Sequence, residues 1–391
     1  MKSINVVVVG GGMYVCGRGV EGYGTIMPAL LEAKRHDQVG QVVIVTTKSS
    51  SARAASKKTI ALGRLMGVNA DIKYYPQNGC DVKAYKKVLR NIRTPAACII
   101  AVPDSLHADI AEYSIEHGFH TLVVKPLATT VKEVKRLIKA QNEHGVYCAV
   151  EFHKRFDDAN IKMKDVIASG ALGDLLYFII EFSQRKVMPL KVFRAWASTT
   201  NIFNYLGVHY VDIIYYTTCA KPMRVMAIGQ KNWLLRRGLD TYDAIEAVIE
   251  WHGSSGNKFS SHIITNWIDP DSTSAMSDQR IKVIGAQGRF ESDQKDRGIT
   301  MISDKRGIET FNPYFCAAYG RPGEVEYRGY GIKSIQTFLQ DVSDIEKGAV
   351  TIKELEAKRP TFRTSLISTA VIEGVDRSLK KGSEWVEVKG I

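Results

Sequence analysis

Apolar runs alternate with helix-like stretches along the first 150 residues of the chain. Short β-branched runs predict buried strands, and apolar positions every three to four residues predict helices. The predicted strands are Ile4–Val9, Gln41–Thr47, Ala96–Val102, His120–Val124 and Tyr147–Phe152. The predicted helices are Thr25–Arg35, Ser50–Met66, Ser105–His117 and Val131–His144. This alternation predicts a parallel sheet with helices on both faces, of the Rossmann type.

The pattern changes after a predicted helix at Asp157–Ser169, because strands then follow one another without helices between them. These strands are Leu175–Phe182, Arg224–Gly229, Ala244–Trp251, Lys258–Trp267 and Arg280–Ile284. A turn over 253–257 and helices over about 331–348 and 362–379 complete the pattern. We therefore predict an α/β plus α+β chain. Its Rossmann domain spans 1–150, and a second domain with a large, mainly antiparallel, open-faced sheet spans 151–391.

Composition narrows the class of protein. The chain has 45% hydrophobic and 24% charged residues, which is typical of a globular protein, and no apolar run long enough to cross a bilayer. Its start lacks the features of a signal peptide, so we expect a cytoplasmic protein. The six cysteines are scattered, which argues against disulfides and against a metal site. The net charge of +12 is spread along the chain, so we expect an anionic cofactor and no nucleic acid.

A glycine-rich turn follows the first predicted strand. Gly10 and Gly12 match the first two glycines of a dinucleotide-binding fingerprint, Met13 comes next, and the third glycine position is Val15. The loop before the helix at Thr25 is about seven residues longer than usual. The turn is either a phosphate-binding loop or a flexible surface loop, and its place between a strand and a helix favours the first.

The end of the second strand predicts which dinucleotide binds. An NAD site usually has an acidic side chain here, but this chain has Thr46, Thr47, Lys48 and Arg53, with no acid before Asp71. Hydroxyls and cations favour a 2′-phosphate. We therefore expect NADP as the preferred cofactor, with NAD as the alternative; the same residues could instead only cap the next helix.

Lys125 stands at the end of a predicted buried strand, Thr121 to Val124, and Pro126 stops the strand. The carboxyl edge of a parallel sheet is where ligands bind. A lysine there either caps the strand in solvent or acts on a bound hydroxyl, since desolvation shifts its pKa.

Several motifs, in the same order, resemble the Gfo/Idh/MocA oxidoreductases, which include glucose–fructose oxidoreductase and inositol dehydrogenase. They are the glycine loop, residues 99–107, Gly118-Phe119-His120 leading to Lys125-Pro126, Arg155-Phe156-Asp157, residues 167–173, and residues 207–212. The resemblance covers most of the chain and weakens after about residue 290. It implies a catalytic histidine at His209, an acid at Asp212, and Lys125 beside the nicotinamide. The cofactor-binding candidates further along the chain are Ala101, Pro103, Asp104, His107, Lys125 and Pro126.

The chain departs from the family pattern at three places. The usual Glu-Lys-Pro is Val124-Lys125-Pro126, the aspartate often found four residues before the histidine is Tyr205, beside Asn204, and an upstream glycine triplet is absent. Tyr205 either donates a proton or stacks on sugar carbons. Asp212 shares a helix face with His209 and either orients that ring or only stabilises the helix.

Further substrate candidates leave the last Rossmann strand. Alternation along an extended chain would direct Glu151, His153 and Arg155 to one face, where they contact either substrate or structural partners. Trp196 precedes the histidine helix and is expected to line the pocket.

The resemblance implies hydride transfer between NADP and a secondary hydroxyl of a sugar or polyol. Two alternatives remain: a sugar lyase or glycosidase that uses bound cofactor for transient oxidation, and a non-catalytic NADP-binding module. An open sheet face needs a cover, so we also expect a homodimer or homotetramer.

Overall fold

The computed structural model describes residues 3–253 and 256–391. The chain divides into two compact units. The first unit runs through residue 128 and also includes 132–153 and 314–365; the second unit consists of 129–131, 154–313 and 366–391. The segment 314–365, which the sequence prediction placed in the C-terminal domain, thus belongs to the first unit.

A six-stranded sheet forms the centre of the first unit. Its strands are β1 (Ile4–Val9), β2 (Val39–Val45), β3 (Ile72–Tyr75), β4 (Ala96–Ile100), β5 (His120–Val124) and β6 (Cys148–Glu151). They are parallel, in the order β3-β2-β1-β4-β5-β6. Every residue of β4 is buried, because helices cover both faces of a parallel sheet. The predicted Rossmann-type fold is confirmed.

Helices from both ends of the chain cover this sheet. They are α1 (Met13–Cys16), α2 (Ile26–Arg35), α3 (Ser49–Met66), α4 (Ala84–Asn91), α5 (His107–Glu116), α6 (Val131–His144), α9 (Tyr330–Glu346) and α10 (Ile352–Glu356). The core of the unit contains Leu30 and Leu31 of α2 beside Ile335 and Phe338 of α9. The chain therefore returns, more than 300 residues later, to complete the core built on β1.

The second unit contains a seven-stranded sheet. Its strands are β7 (Leu175–Arg185), β8 (Lys221–Gln230), β9 (Ala244–His252), β10 (Lys258–Asp269), β11 (Ser277–Gly285), β12 (Arg289–Asp293) and β17 (Val386–Glu387). The order is β12-β11-β7-β10-β9-β8-β17, and all neighbours are antiparallel except β7 and β10. The expected large, mainly antiparallel sheet is confirmed. Of the predicted turn between β9 and β10, Ser254 and Ser255 lie outside the described residues.

One face of this sheet is packed and the other is open. Burial alternates along β7 and β10. The remaining helices of the chain are α7 (Asp158–Ala168), which precedes β7, α8 (Val208–Thr218), which lies between β7 and β8, and α11 (Phe362–Lys380). Tyr177, Ile179 and Ile228 are 37%, 38% and 45% exposed. An antiparallel sheet with one covered face shows this alternation, and here the open face carries apolar side chains.

Two hairpins that the sequence did not predict lie after residue 290. They pair β13 (Thr300–Ser303) with β14 (Gly307–Thr310), and β15 (Ala317–Tyr319) with β16 (Glu326–Arg328). Within the described residues, no helix combines the length and apolar character needed to cross a membrane.

Candidate active site

The glycine turn after β1 is shaped by close packing. Gly10 has φ +126°, and a Cβ atom there would overlap the carbonyl oxygen of Ala101. A Cβ at Gly11 would lie 2.8 Å from Cγ2 of Thr46, whereas one at Gly12 would have no atom within 4 Å. Gly10 is therefore required by the fold, and a side chain at Gly11 would force Thr46 to shift. The open space at Gly12, just before Met13 begins α1, fits the close approach of a pyrophosphate.

The long loop after this turn is held by a side chain that sequence reasoning missed. Lys58 of α3 donates to the carbonyl oxygens of Gly17, Val20 and Gly22, the last two at 3.2 and 2.8 Å. Three carbonyl dipoles on one ammonium group fix the loop against α3. The flexible surface loop that the sequence left open as an alternative is thus a tethered segment.

The end of β2 presents hydroxyls and cations. Thr47, Lys48 and Arg53 are exposed, and Oγ1 of Thr46 donates to the carbonyl of Lys48 at 2.8 Å. The backbone N–H of Asp81 donates to the carbonyl of Thr47 at 2.8 Å, which brings one acid to this edge. Its carboxylate, however, accepts from Nζ of Lys87 at 2.7 Å. These groups fit a 2′-phosphate, because the nearby acid is already neutralised.

His107 joins the ends of β4 and β5. Its Nδ1 lies 2.6 Å from the carbonyl oxygen of Pro126, and its Nε2 lies 2.9 Å from that of Val102. The ring is 2% exposed, and burial lowers its pKa. Pro103 precedes a 3₁₀ turn that begins at Asp104, whose Oδ1 accepts from the N–H of Ser105 at 2.8 Å. The histidine thus fixes the backbone on which Lys125 and Pro126 are placed.

Lys125 is buried directly after β5. Burial lowers the pKa of its ammonium group to about 7, although the charges of Glu151 and Asp104 oppose that shift. An exposed lysine would remain fully charged at neutral pH. This lysine titrates at neutral pH, which suits a group that holds an oxygen and moves a proton.

Glu151 ends β6 within a buried polar cluster. Its Oε1 accepts from Oγ of Ser334 at 2.6 Å, and its Oε2 lies 3.0 Å from Nδ1 of His153. Tyr14 stacks on the His153 ring and places its hydroxyl 3.3 Å from the same Nδ1. Burial and the charge of Glu151 raise the pKa of Tyr14. The predicted alternation past Glu151 was wrong, because residues 153–156 form a 3₁₀ turn.

Helix α8 carries the second group of candidates, in the second unit. His209 and Asp212 are buried, at 4% and 2% exposure, one turn apart. Both oxygens of Asp212 accept from Arg155, at 2.8 Å from Nε and 2.6 Å from Nη2. Burial lowers the pKa of this guanidinium, but Asp212 more than offsets it, so the pKa is raised. Arg155, from the 3₁₀ turn at residues 153–156, thus forms a closed ion pair with Asp212 of α8.

Aromatic rings surround Tyr205, which lies in a π-helical turn that leads into α8. Its ring centroid lies 5.0 Å from Phe193, 5.8 Å from Trp196 and 5.6 Å from Trp267. Burial raises the pKa of the Tyr205 phenol. Such a cluster presents ring faces and one phenol, which is the chemistry that packs against sugar carbons.

Asn204 is fixed beside Tyr205. Its backbone N–H donates to Oδ1 of Asn201 at 2.9 Å, and Nδ2 of Asn201 donates to Asp376 at 2.8 Å. The side-chain oxygen of Asn204 is buried and has no hydrogen-bond partner within the described part of the chain. An unsatisfied buried oxygen can accept a hydrogen bond from a ligand hydroxyl.

The structure groups the candidates by unit. The first unit holds the glycine turn, the end of β2, Asp104, His107, Lys125, Glu151 and His153. The second unit holds Arg155, Trp196, Asn204, Tyr205, His209 and Asp212. Sequence reasoning missed Tyr14, Lys58 and Ser334, whose contacts are long-range. Among the described residues, no three His, Cys, Asp or Glu side chains form a group that could hold a metal ion.

Two family models match this chain. The model described as "Oxidoreductase family, NAD-binding Rossmann fold" matches residues 4–152, and the "GFO/IDH/MocA C-terminal domain" matches residues 160–291. The second match ends where the sequence resemblance weakened. Together they span both the glycine turn and α8.

Individual proteins with known names share less than 30% of their residues with this chain over the matched segments. A scyllo-inositol 2-dehydrogenase (NAD(+)) of Bacillus subtilis is 27% identical over 231 residues, which are 57% of this chain and 64% of that protein. A 2,7-anhydro-N-acetylneuraminate hydratase of Mediterraneibacter gnavus is 23% identical over 269 residues, 63% of this chain and 67% of that protein. This chain thus spans about two thirds of the length of these relatives.

A solved structure shows the same fold over nearly the whole chain. The inositol dehydrogenase homolog of Azotobacter vinelandii, complexed with NADH and myo-inositol, superimposes with a TM-score of 0.70 at 17% identity. The superposition covers 99% of this chain and 98% of that one. At this identity the likeness is one of fold.

Proposed function

Because this chain belongs to the GFO/IDH/MocA oxidoreductase family, we propose that it is an NADP-dependent dehydrogenase of a sugar or cyclic polyol. It interconverts a secondary hydroxyl and a ketone. The observation that carries the proposal is Lys125: a buried lysine, with a pKa of about 7, at the carboxyl edge of a parallel sheet that also presents a glycine turn. That combination suits an oxygen whose charge changes during the reaction.

The dinucleotide is assigned to the first unit. When bound, the nicotinamide accepts a hydride from the substrate carbon or returns one to it. The Gly10–Met13 turn is proposed to hold the pyrophosphate, and Lys48 with Arg53 the 2′-phosphate. The hydroxyl of Thr47 is proposed to donate to the same phosphate, whereas that of Thr46 already donates to the carbonyl of Lys48 and shapes the turn. NAD remains the alternative, because the scyllo-inositol 2-dehydrogenase of Bacillus subtilis is an NAD(+) enzyme.

The acid–base roles are assigned to two residues. His209 is the proposed base that accepts the hydroxyl proton, since a histidine titrates near neutral pH. Lys125 is the proposed donor to the substrate oxygen and offsets its charge. Asp212 pairs with Arg155, so we assign that carboxylate to holding α8 and its histidine in place.

Substrate contacts are assigned to the Tyr205 cluster. Asn204 offers a buried oxygen to a hydroxyl, and Tyr205 with Trp196 offers ring faces to the C–H groups of a sugar or polyol ring. The names of the relatives favour inositols as the first substrates to test.

The test is a substrate screen with both dinucleotides. Purified protein is mixed with NADP⁺ or NAD⁺ and a panel of inositols and sugars, and absorbance of the reduced nicotinamide is followed. We expect turnover with one cyclic polyol or sugar and a lower KM for NADP⁺. Lys48→Ala with Arg53→Ala should raise the KM for NADP⁺ about tenfold or more and leave that for NAD⁺ nearly unchanged. If neither NADP⁺ nor NAD⁺ binds to the protein, the proposal is refuted.

A second candidate is an elimination or hydration reaction with transient oxidation of the sugar. The relative named as a hydratase favours it, as do Val124 and Tyr205, which depart from the family pattern. It predicts a changed substrate with no net change in reduced nicotinamide. Product analysis by mass spectrometry in the same screen separates the two candidates.

We also propose that the open face of the seven-stranded sheet is covered by a second copy of the chain, as a homodimer or homotetramer. Apolar residues on that face, such as Ile179 and Ile228, support this. Light scattering at micromolar concentration tests it, and a monomer would contradict it.

A further inference from the structure

Lys125 lies among a small set of charged groups. Glu151 faces it from the end of β6, Asp104 from the turn after β4, and His107 from the start of α5. The two acids favour its ammonium form, and Glu151 contributes more than Asp104. The charge of Lys125 in turn lowers the pKa of His107. The protonation of this lysine therefore depends mainly on burial and on one carboxylate from another strand.

Position 124 lacks the acid that the family pattern places directly before the lysine. Val124 of β5 and Glu151 of β6 are register partners in the parallel sheet. Neighbouring strands lie about 4.8 Å apart. The Cα atom of Glu151 is therefore next to the Cα atom that would carry a glutamate at position 124. The acid missing from one strand is thus present at the matching position of the next.

The carboxylate of Glu151 has a fixed orientation. It is 2% exposed, Ser334 of α9 donates to one oxygen at 2.6 Å, and His153 lies 3.0 Å from the other. Two partners on different oxygens hold the group in a single rotamer. A carboxylate held in this way acts on a neighbouring ammonium group with a constant field, which a solvent-exposed acid could not provide.

We propose that Glu151 is the positioning residue for Lys125 and replaces, from β6, the acid absent at Val124. This inference rests on the proposed function for its purpose, since it concerns the lysine assigned to the substrate oxygen. The sequence left open whether Glu151 contacts substrate or structural partners; in this proposal it acts through Lys125. Ser334 belongs to the same device, because it holds the carboxylate from a segment nearly two hundred residues away.

The test follows the titration of Lys125 directly and needs neither cofactor nor substrate. The full chain is labelled with ¹³Cε-lysine, the Lys125 signal is assigned by its loss in Lys125→Met, and its shift is followed by NMR from pH 5.5 to 10.5. We expect a midpoint of about 7 in the wild type. Glu151→Gln should lower it by about one unit or more, because a stabilising negative charge is removed. Val124→Glu combined with Glu151→Gln should return the midpoint towards the wild-type value.

Asp341→Asn is the matched control. Asp341 is also buried in the first unit and accepts from Tyr147 and Arg359, at 3.2 and 2.7 Å. Its replacement should leave the Lys125 midpoint unchanged. An equal midpoint in Glu151→Gln and Asp341→Asn would overturn the inference. If the wild type shows the coupled titration but no dehydrogenase activity with any substrate, the proposed function fails and the coupling stands.

Discussion

The two units each bury a cation beside a carboxylate, and the two arrangements behave differently. In the second unit, Arg155 donates to both oxygens of Asp212 in a closed fork, and its pKa is raised. In the first unit, Glu151 is fixed by Ser334 and His153, and Lys125 has a pKa of about 7. Similar charges are present, but the cations differ: Arg155 stays charged at any ordinary pH, whereas Lys125 changes charge near neutrality. Burial raises the pKa of the Asp212 carboxyl, and the hydrogen-bonded charge of Arg155 opposes that shift.

The difference lies in the cation and in what else holds the acid. A guanidinium is always charged and matches a carboxylate with two parallel hydrogen bonds, so it suits a permanent pair. A lysine is a point charge whose pKa responds to desolvation. Because the oxygens of Glu151 are shared with Ser334 and His153, its field opposes the desolvation of Lys125 only in part. We infer that the Glu151–Lys125 arrangement serves chemistry and that the Arg155–Asp212 pair serves structure.

The largest expected effect concerns the closed pair. Arg155→Ala leaves Asp212 buried without its partner and should cost about 3–5 kcal/mol of unfolding free energy. Urea unfolding measures it. Removing both charges, in Arg155→Met with Asp212→Leu, should cost clearly less. As a control, Arg224→Ala breaks an exposed pair with Glu250 and should have a far smaller effect. Equal losses in Arg155→Ala and Arg224→Ala would break the comparison.

The next effect concerns activity. Lys125→Met should lower kcat/KM about 10²- to 10³-fold, because a donor to the charged oxygen is lost, with little loss of stability. Lys125→Arg keeps a charge that does not titrate, so the contribution of Lys125 to the pH–rate profile near pH 7 should disappear, while the limb that His209 contributes as base should remain. Steady-state kinetics from pH 5.5 to 9.5 measures both. A Lys125→Met variant within a few-fold of wild type would show that the lysine is structural.

A third effect is the pH dependence of stability. The folded pKa of Lys125 is about 7 and the ordinary value is 10.5, so between them the unfolded chain binds more protons. Wild-type stability should therefore rise with pH across this window. Relative to Lys125→Met, the wild type should gain about 2 kcal/mol between pH 7 and pH 9. Urea unfolding of both proteins at each pH measures it, and a constant difference would mean that Lys125 titrates normally.

The smallest effect concerns the hydrogen bond that fixes the acid. Ser334→Ala removes the donor to Oε1 of Glu151 and should cost about 1.5 kcal/mol, because the acceptor is charged. Ser365→Ala, which removes a bond from another buried serine to the carbonyl of Thr361, should cost about 1 kcal/mol or less. A smaller loss in Ser334→Ala than in Ser365→Ala would argue against a fixed Glu151.

The sequence predicted the strands that are buried on both faces, such as β1 and β4, because such strands appear as continuous apolar runs. Strand β3 escaped because its four residues alternate between half-buried and exposed and include Lys73. Helix α4 escaped because it is short and lysine-rich, with Val88 and Leu89 as its main buried side chains. The hairpins after residue 290 are largely exposed, so they carry no burial pattern to recognise.

The residues of the candidate site also fall into those that the sequence could predict and those that it could not. Lys125 and the glycine turn were visible because each sits in a local motif at a strand end. The family was visible because several such motifs occur in order. The partner of Glu151 is 183 positions away at Ser334, and the carbonyls held by Lys58 lie 36 to 41 positions from it. No local pattern encodes such contacts, since they depend on the folded chain.

The return of 314–365 to the first unit has a consequence for biosynthesis. A ribosome releases β1 to β6 long before α9, whose Ile335 and Phe338 fill the core of that unit. The nascent N-terminal half therefore waits with an apolar surface uncovered while more than 150 further residues are made. A chaperone that binds such surfaces would meet this chain in that interval, and a gene fragment ending near codon 155 should yield aggregated protein.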